Sequence, residues 1–229
     1  MQNRKLKNKI SVGILGATGM IGQKLISLLK NHPWFKVTVV AASRKSVGKK
    51  LGSLTIYSVE DDIEIISKKC RLVFSAINSK KEVIKKIEEM YAEKGLGVVS
   101  NNSAHRWTED IPMIIPEINP EHLDIISIQQ KNRDWTGFIV TKPNCSIQSY
   151  VPLIKAWENF NPQKVIVSTY QAISGAGKTF ESWPEMIDNV IPFISNEEEK
   201  SEKEPAKILG KISKTKKGKF IFKTTPQIS

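Results

Sequence analysis

Short apolar stretches alternate with amphipathic stretches along the first 140 residues, and this rhythm limits the fold more than any other feature of the chain. Apolar or β-branched runs predict strands at 10–15, 37–40, 72–75 and 97–100. Apolar side chains at helical spacing predict helices at 18–30 and 80–93. Strands that alternate with helices predict an α/β fold, in which a doubly wound parallel sheet has helices on both faces.

Each predicted helix should bury one apolar face. The expected faces are Ile21, Leu25, Leu28 and Leu29 in the first helix, and Val83, Ile84, Ile87, Met90 and Tyr91 in the second. After residue 145 the rhythm changes to a predicted helix at 147–157, a longer strand at 164–170, a glycine-rich turn at 174–177 and a charged run at 196–203. We expect that run to be solvated. The change places a domain boundary between 143 and 144.

The formal net charge of +12 raises the question of nucleic-acid binding. The charge is mostly lysine and is scattered, apart from residues 1–9 and 211–223, and no recognised nucleic-acid motif accompanies it. We therefore expect no nucleic-acid partner and no metal. The chain has no apolar run of about 18 residues, which predicts no membrane span. Two cysteines do not make a disulfide framework, and this favours the cytoplasm.

A glycine-rich turn joins the first predicted strand to the first predicted helix. Glycine permits positive φ and close backbone approach, and a helix N-terminus offers free N–H groups to a phosphate. The spacing Gly-x-x-Gly-x-x-Gly differs from the usual Gly-x-Gly-x-x-Gly, but its strand–turn–helix context favours a Rossmann-type nucleotide site over a merely tight corner. The expected contacts are Gly16, Thr18, Gly19, Met20, Ile21 and Gly22.

The end of the second predicted strand bears on the choice of nucleotide. NAD-binding folds carry an acidic residue there for the ribose 2′-hydroxyl, whereas a nearby arginine suits the 2′-phosphate of NADP. The sequence has no carboxylate at this point and reads Ala42-Ser43-Arg44-Lys45-Ser46. We therefore predict NADP, bound by Ser43, Arg44 and Ser46, against the alternative of a polar loop. We also expect Ser75 and Ala76 among the cofactor contacts.

Cys145 follows a rigid Pro143-Asn144 step and precedes a predicted helix, which is where a nucleophile sits on a strand-to-helix corner. The helix N-terminus and Lys142 should lower the pKa of the thiol, and the amide of Asn144 is a candidate oxyanion donor. Cys70 leads into a strand and is expected to be structural. A thiolate beside a nicotinamide favours attack on an aldehyde, hydride loss to NADP⁺ and a thioacyl enzyme.

Together these motifs and their order resemble the archaeal and fungal branch of the aspartate-semialdehyde dehydrogenases. The matching stretches are 16–22, 42–44, 99–106, 115–120, 143–146, 171–177, 188–194 and 197–200. The resemblance implies an NADP-binding Rossmann domain at 1–143 and an incomplete α+β catalytic and dimerisation domain at 144–229. It also implies a homo-oligomer in the full-length form, with small-molecule substrates and phosphate as partners.

The resemblance assigns roles to individual residues. Cys145 resembles the nucleophile that accepts the acyl group, and Gln171 the glutamine that positions it. Arg106 resembles the arginine that binds phosphate or the substrate carboxylate. The remaining assignments are Glu198 and Lys200 for the substrate amino group and phosphate, in a register that can slip by one, and Ser174, Gly175 and Ala176 for the loop over the nicotinamide.

The family also has a later arginine and a general acid/base histidine, in a segment resembling Ala-Thr-Cys-x-Arg-Val-Pro-Val-x-x-Gly-His. The three histidines here, His32, His105 and His122, all precede Cys145. We therefore expect residues 1–229 alone not to turn over substrate.

The expected activity of the parent protein is the reductive dephosphorylation of aspartyl 4-phosphate to aspartate 4-semialdehyde, on the route to lysine, threonine, methionine and isoleucine. Two alternatives stay open, a malonyl-CoA reductase of the same fold and a non-catalytic nucleotide-binding remnant.

Overall fold

The computed structural model describes residues 8–212, 220–221 and 227–228, so much of the two denser basic stretches lies outside it. The strands are β1 Ile10–Leu15, β2 Phe35–Ala42, β3 Lys50–Leu51, β4 Leu54–Ser58, β5 Leu72–Ser75, β6 Gly97–Ser100, β7 Phe138–Thr141, β8 Lys164–Val165, β9 Lys211–Ile212, β10 Phe220–Ile221 and β11 Gln227–Ile228. The α-helices are α1 Met20–Leu29, α2 Ile63–Lys69, α3 Lys81–Glu93, α4 Ile126–Arg133, α5 Ile147–Ala156 and α6 Glu197–Ile208.

Seven strands form one sheet in the order β3-β4-β2-β1-β5-β6-β7, and all neighbours pair in parallel except β3 and β4. Apolar clusters cover both faces: one includes residues of α2 and α3, and the other includes residues of α1. The predicted α/β class, with a Rossmann-type doubly wound sheet, is therefore confirmed. The boundary between residues 143 and 144 stays a prediction.

The strand ends line up along one edge of the sheet. The pairing register sets Leu15 opposite Ser75, Ser75 opposite Ser100, and Ser100 opposite Thr141. The loops that leave these strands therefore start side by side. In open α/β sheets this carboxyl edge is where ligands bind.

The expected inner faces of α1 and α3 are partly wrong. Ile21 and Leu28 are 44% and 62% exposed, because the face of α1 that packs on the sheet runs through Gly22 and Leu29 instead. Ile21 and Leu28 precede these residues by one position, which rotates them by about 100° around the helix. In α3, Val83 and Met90 are likewise exposed, while Ile84, Ile87 and Tyr91 are buried as expected.

The later part of the chain packs around a third apolar cluster, to which α5 contributes Ile147, Val151 and Ile154. The strand expected at 164–170 is short, because among the described residues only Lys164 and Val165 have a partner strand, β11. Ile166 and Tyr170 beyond it are 81% and 95% exposed. This half is a smaller α+β unit beside the parallel sheet.

The charged run at 196–203 is not simply solvated, because it forms the first two turns of α6, and Glu197 is buried. Among the described residues, no helix is long and apolar enough to cross a membrane.

Candidate active site

Cys145 lies on the corner between β7 and α5, at the carboxyl edge of the sheet, where the sequence predicts it. The residue is exposed, and its backbone N–H donates to Oδ1 of Asn144 at 2.9 Å. Its thiol donates to Oδ1 of Asn144 at 3.5 Å and to Oε1 of Gln171 at 3.7 Å. An accessible thiol next to a helix N-terminus and an amide is an arrangement for nucleophilic attack.

Glu197, at the start of α6, is the hub of this cluster. Its Oε1 accepts hydrogen bonds from Nε2 of Gln171 at 2.7 Å, from Oγ of Ser146 at 2.6 Å and from Nδ2 of Asn144 at 2.5 Å. Burial raises the pKa of Glu197, but these bonds and the charge of Lys200, 3.5 Å away, outweigh it and leave the pKa below its usual value. The carboxylate is therefore held in its charged form.

The structure brings Glu197, and not Glu198, into contact with Asn144 and Gln171, the two residues that the thiol contacts. Glu198 is exposed, one residue further along α6. Lys200 reaches the cluster through its ion pair with Glu197. The amide N–H group of Asn144, expected to face an oxyanion, is engaged by Glu197 and by Ser146 Oγ at 3.3 Å.

Arg106 follows β6 and is buried next to the nucleophile loop. Its Nε donates to the carbonyl of Lys142 at 3.0 Å, and its Nη1 donates to Glu204 at 2.9 Å. The ammonium of Lys142 donates to the carbonyl of Pro143 at 3.2 Å, and burial, followed by the charge of Arg106, lowers the pKa of Lys142. Arg106 thus packs against the loop that carries Lys142 and Cys145.

The glycine-rich turn has the predicted strand–turn–helix geometry. Gly16 has φ +81°, and a Cβ there would lie 2.3 Å from the carbonyl oxygen of Ala76. A Cβ on Gly22 would lie 2.2 Å from the carbonyl oxygen of Gly16. Gly19 caps α1 without a side-chain hydrogen bond, so the N–H groups of the first turn have no capping side chain. This backbone fits a nucleotide phosphate.

Arg44 lies directly beyond β2, on a short turn that contains Ser46 and follows the exposed Ser43. Its guanidinium is paired with Asp61. Asp61 follows β4, the strand that pairs with β2 in the sheet. The sequence-based prediction for Arg44 did not anticipate this acidic partner.

Behind the sheet edge lies a buried polar network around Glu88 of α3. Its Oε1 accepts from Ser100 Oγ at 2.7 Å and from Asn102 Nδ2 at 3.0 Å, and Asn102 also reaches Ser75 Oγ at 3.2 Å. Burial raises the pKa of Glu88 and lowers the pKa of the adjacent His105 to about 4. The side chain of Ser75 is therefore part of this network, and its contact with a cofactor stays a prediction.

The sequence predicts Glu198 in a register that can slip by one, and Glu197 is a neighbour that such a slip selects; it does not predict Glu204 or Glu88. For Glu204 a signal exists: Glu197, Lys200, Glu204 and Lys207 recur at helical spacing, so they share one face of α6. No comparable signal points to Glu88, which lies in a helix with many charged residues.

Two family models match the chain. The model described as semialdehyde dehydrogenase, NAD binding domain, matches residues 11–126, which is half of the chain. The chain belongs to the semialdehyde dehydrogenase family. A second semialdehyde dehydrogenase model, described as the dimerisation domain, matches residues 151–228. The resemblance read from the motifs is thereby confirmed.

Curated relatives in the semialdehyde dehydrogenase family cover most of this chain. The aspartate-semialdehyde dehydrogenase of Archaeoglobus fulgidus is 46% identical over 217 residues, which are 90% of this chain and 63% of that protein. The NADP malonyl CoA reductase of Metallosphaera sedula is 32% identical over 91% of this chain and 62% of its own length. The chain thus spans less than two thirds of the relatives it matches.

A solved semialdehyde dehydrogenase has the same fold. The crystal structure of aspartate semialdehyde dehydrogenase with NADP from Candida albicans superposes with a TM-score of 0.79 and 31% identity. The match covers 97% of this chain and 66% of that one.

Proposed function

We propose that the whole protein is an NADP-dependent aspartate-semialdehyde dehydrogenase, which converts aspartyl 4-phosphate into aspartate 4-semialdehyde and phosphate. One observation carries the proposal. The exposed thiol of Cys145 stands at the N-terminus of α5, 3.7 Å from Gln171, in a chain whose archaeal relative at 46% identity is an aspartate-semialdehyde dehydrogenase.

The proposed chemistry starts at the Cys145 thiolate. Its sulfur attacks the acyl carbon, a carbon–sulfur bond forms, and the carbon–oxygen bond to phosphate breaks. NADPH, when bound, supplies the hydride that reduces the thioacyl carbon and releases the aldehyde. Gln171 holds the acyl group, because its amide is itself oriented by the hydrogen bond to Glu197.

Charged groups around the thiol suit an amino-acid phosphate. In this proposal Glu197 binds the substrate amino group, in place of the Glu198 expected from the sequence. Arg106 and Lys200 bind the phosphoryl oxygens, since guanidinium and ammonium groups both recognise phosphate. A Cβ on Gly175 would lie 3.8 Å from Oε1 of Gln171, which supports its role in the loop over the nicotinamide, with Ser174 and Ala176.

The proposed NADP site runs along the sheet edge. The turn at 16–22 takes the pyrophosphate, with Ala76 packed against Gly16. Ser43, Arg44 and Ser46 take the 2′-phosphate. The match to a dimerisation domain supports a homo-oligomer, and two free thiols support a reducing, cytoplasmic setting.

The test is an assay of the whole protein with aspartate semialdehyde, NADP⁺ and phosphate, read as NADPH formation. We expect phosphate-dependent turnover that Cys145→Ala abolishes. A parallel assay replaces phosphate by coenzyme A, because one relative is a malonyl CoA reductase. Activity that ignores phosphate or requires coenzyme A would contradict the proposal, and NADP binding without either activity would favour the remnant.

A further inference from the structure

We propose that Glu204 is a positioning residue, which holds Arg106 and the backbone of Asn144 so that an anion meets an open guanidinium edge beside Cys145. The inference rests on the proposed function, in which Arg106 binds the phosphoryl group. It goes further because Glu204 acts on the anion through Arg106, without touching it.

The inward face of α6 carries charged side chains beside the buried Pro205 and Ile208. Glu197, Lys200, Glu204 and Lys207 follow one another at spacings of three, four and three residues, which places them on one side of a helix. Glu197 is 8% exposed, and Glu204 and Lys207 are each 1% exposed. A buried charge is tolerated only with partners, so Glu197, Glu204 and Lys207 need partners on neighbouring elements.

Glu204 uses both of its carboxylate oxygens. Oε1 accepts from Nη1 of Arg106 at 2.9 Å, and Oε2 accepts the backbone N–H of Asn144 at 2.8 Å. The side chains of Arg106 and Glu204 are 7% and 1% exposed, so water hardly screens the pair. One carboxylate thereby sets the separation between the guanidinium and the residue that precedes the thiol.

The two bonds of Arg106 leave one edge of its guanidinium open. Nε is used by the carbonyl of Lys142 and Nη1 by Glu204, whereas Nη2 has no hydrogen-bond partner among the described residues. A guanidinium is planar and presents its donors in a rigid fork. Fixing Nε and Nη1 therefore fixes the direction in which Nη2 donates.

Lys207 holds the backbone of the same arginine. Its ammonium donates to the carbonyls of Arg106 at 2.6 Å, Ile111 at 2.8 Å and Thr108 at 3.3 Å. α6 therefore hydrogen-bonds to both the main chain and the side chain of Arg106. The position of the open edge depends on this helix as a unit.

Alkylation of Cys145 by iodoacetamide, with inorganic phosphate as the competitor, measures anion binding at the thiol without turnover. Phosphate should slow alkylation of the wild-type protein. Glu204→Gln keeps the shape, but its amide cannot accept from both Arg106 and Asn144. The half-protecting phosphate concentration should then rise about tenfold or more. Glu202→Gln, on the exposed side of α6, is the matched control and should behave as wild type.

Glu204→Asp keeps the charge but is one methylene too short to reach both partners, so its half-protecting concentration should rise to an intermediate value. This variant serves the test if Glu204→Gln does not fold. If phosphate protects Glu204→Gln as strongly as Glu202→Gln, or more strongly, the inference is overturned. Stronger protection is the result expected if the carboxylate of Glu204 only repelled the anion, because the substitution removes that negative charge. Absence of protection in the wild type would overturn the proposed role of Arg106 itself.

Discussion

Arg44 donates from Nε and from Nη2 to the two carboxylate oxygens of Asp61, each at 2.7 Å. Asp61 also accepts from Oγ of Ser58 at 2.7 Å, and the hydrogen bond from Arg44, followed by that from Ser58, lowers its pKa to about 2. Glu60 lies 3.5 Å from the same guanidinium. A 2′-phosphate at Arg44 must therefore share the guanidinium with a carboxylate that is charged at neutral pH.

Substitutions in this pair should change the choice of cofactor. Arg44→Ala should weaken NADP binding about tenfold or more and leave NAD nearly unchanged, because only NADP carries the 2′-phosphate. Asp61→Asn should strengthen NADP binding about threefold, since a competing negative charge is removed. Fluorescence titration with both cofactors measures this, with Lys45→Ala as the control for general charge. Equal losses for NADP and NAD in Arg44→Ala would place the arginine away from the phosphate.

The two cysteines should react very differently with iodoacetamide. Cys145 is exposed, whereas Cys70 is 5% exposed and burial raises its pKa to about 11. Near pH 8 we expect one adduct, on Cys145, and a second adduct only in denaturant. Intact mass and peptide mapping report the sites, and Cys145→Ala should stay unlabelled. A second adduct on the native protein would contradict the burial of Cys70.

Gly16→Ala should destabilise the protein more than Gly48→Ala. Both glycines have φ +81°, so the backbone strain is similar, about 1 kcal/mol. A Cβ on Gly16 meets the Ala76 carbonyl at 2.3 Å, whereas one on Gly48 meets nothing within 4 Å. The free energy of unfolding should fall by about 3 kcal/mol or more at Gly16. Urea unfolding measures the free energy of unfolding of both variants. Equal losses of stability would show that the turn at Gly16 relaxes to accommodate the Cβ.

Burial of His105 should make stability depend on pH. Desolvation lowers its pKa from 6.5 to about 4. Between pH 6.5 and pH 4, His105 is therefore protonated in the unfolded chain and neutral in the folded chain. The free energy of unfolding should therefore decrease as the pH falls from 6.5 to 4, by on the order of 3 kcal/mol. Glu88 lies 4.0 Å from Nε2 of His105 and has a raised pKa. Protonation of Glu88 therefore favours the folded state as the pH falls, and this opposes the effect of His105.

Replacing His105 measures its contribution to the pH dependence of the free energy of unfolding. His105→Gln should flatten the decrease relative to the wild type, because the substitution removes the titrating imidazole. Urea unfolding at several pH values gives the two curves, and Glu88 contributes to both. Parallel curves for His105→Gln and the wild type would mean that His105 is protonated in the fold.

Local patterns predicted the parallel sheet well, because buried parallel strands are continuous apolar runs. β1, β5 and β6 match the expected ranges, and Cys145 lies on the expected strand-to-helix corner, between β7 and α5. Partners that come from distant segments were not predictable. Asp61 reaches Arg44 only because β4 lies beside β2 in the sheet. Glu197, in the run expected to be solvated, is buried because the two side chains that flank Cys145 donate hydrogen bonds to it.

The docking of α6 also bears on the order of folding. Glu204 and Lys207 bind Arg106, which lies 98 and 101 residues earlier in the chain, whereas β1 and β5 pair across about 60 residues. Closing the longest loops costs the most chain entropy, so we expect the sheet to form first and α6 to dock late. Native-state hydrogen exchange should then show the α6 amides opening before those of β1. Among the described residues, the surroundings of the thiol would then assemble last and come apart first.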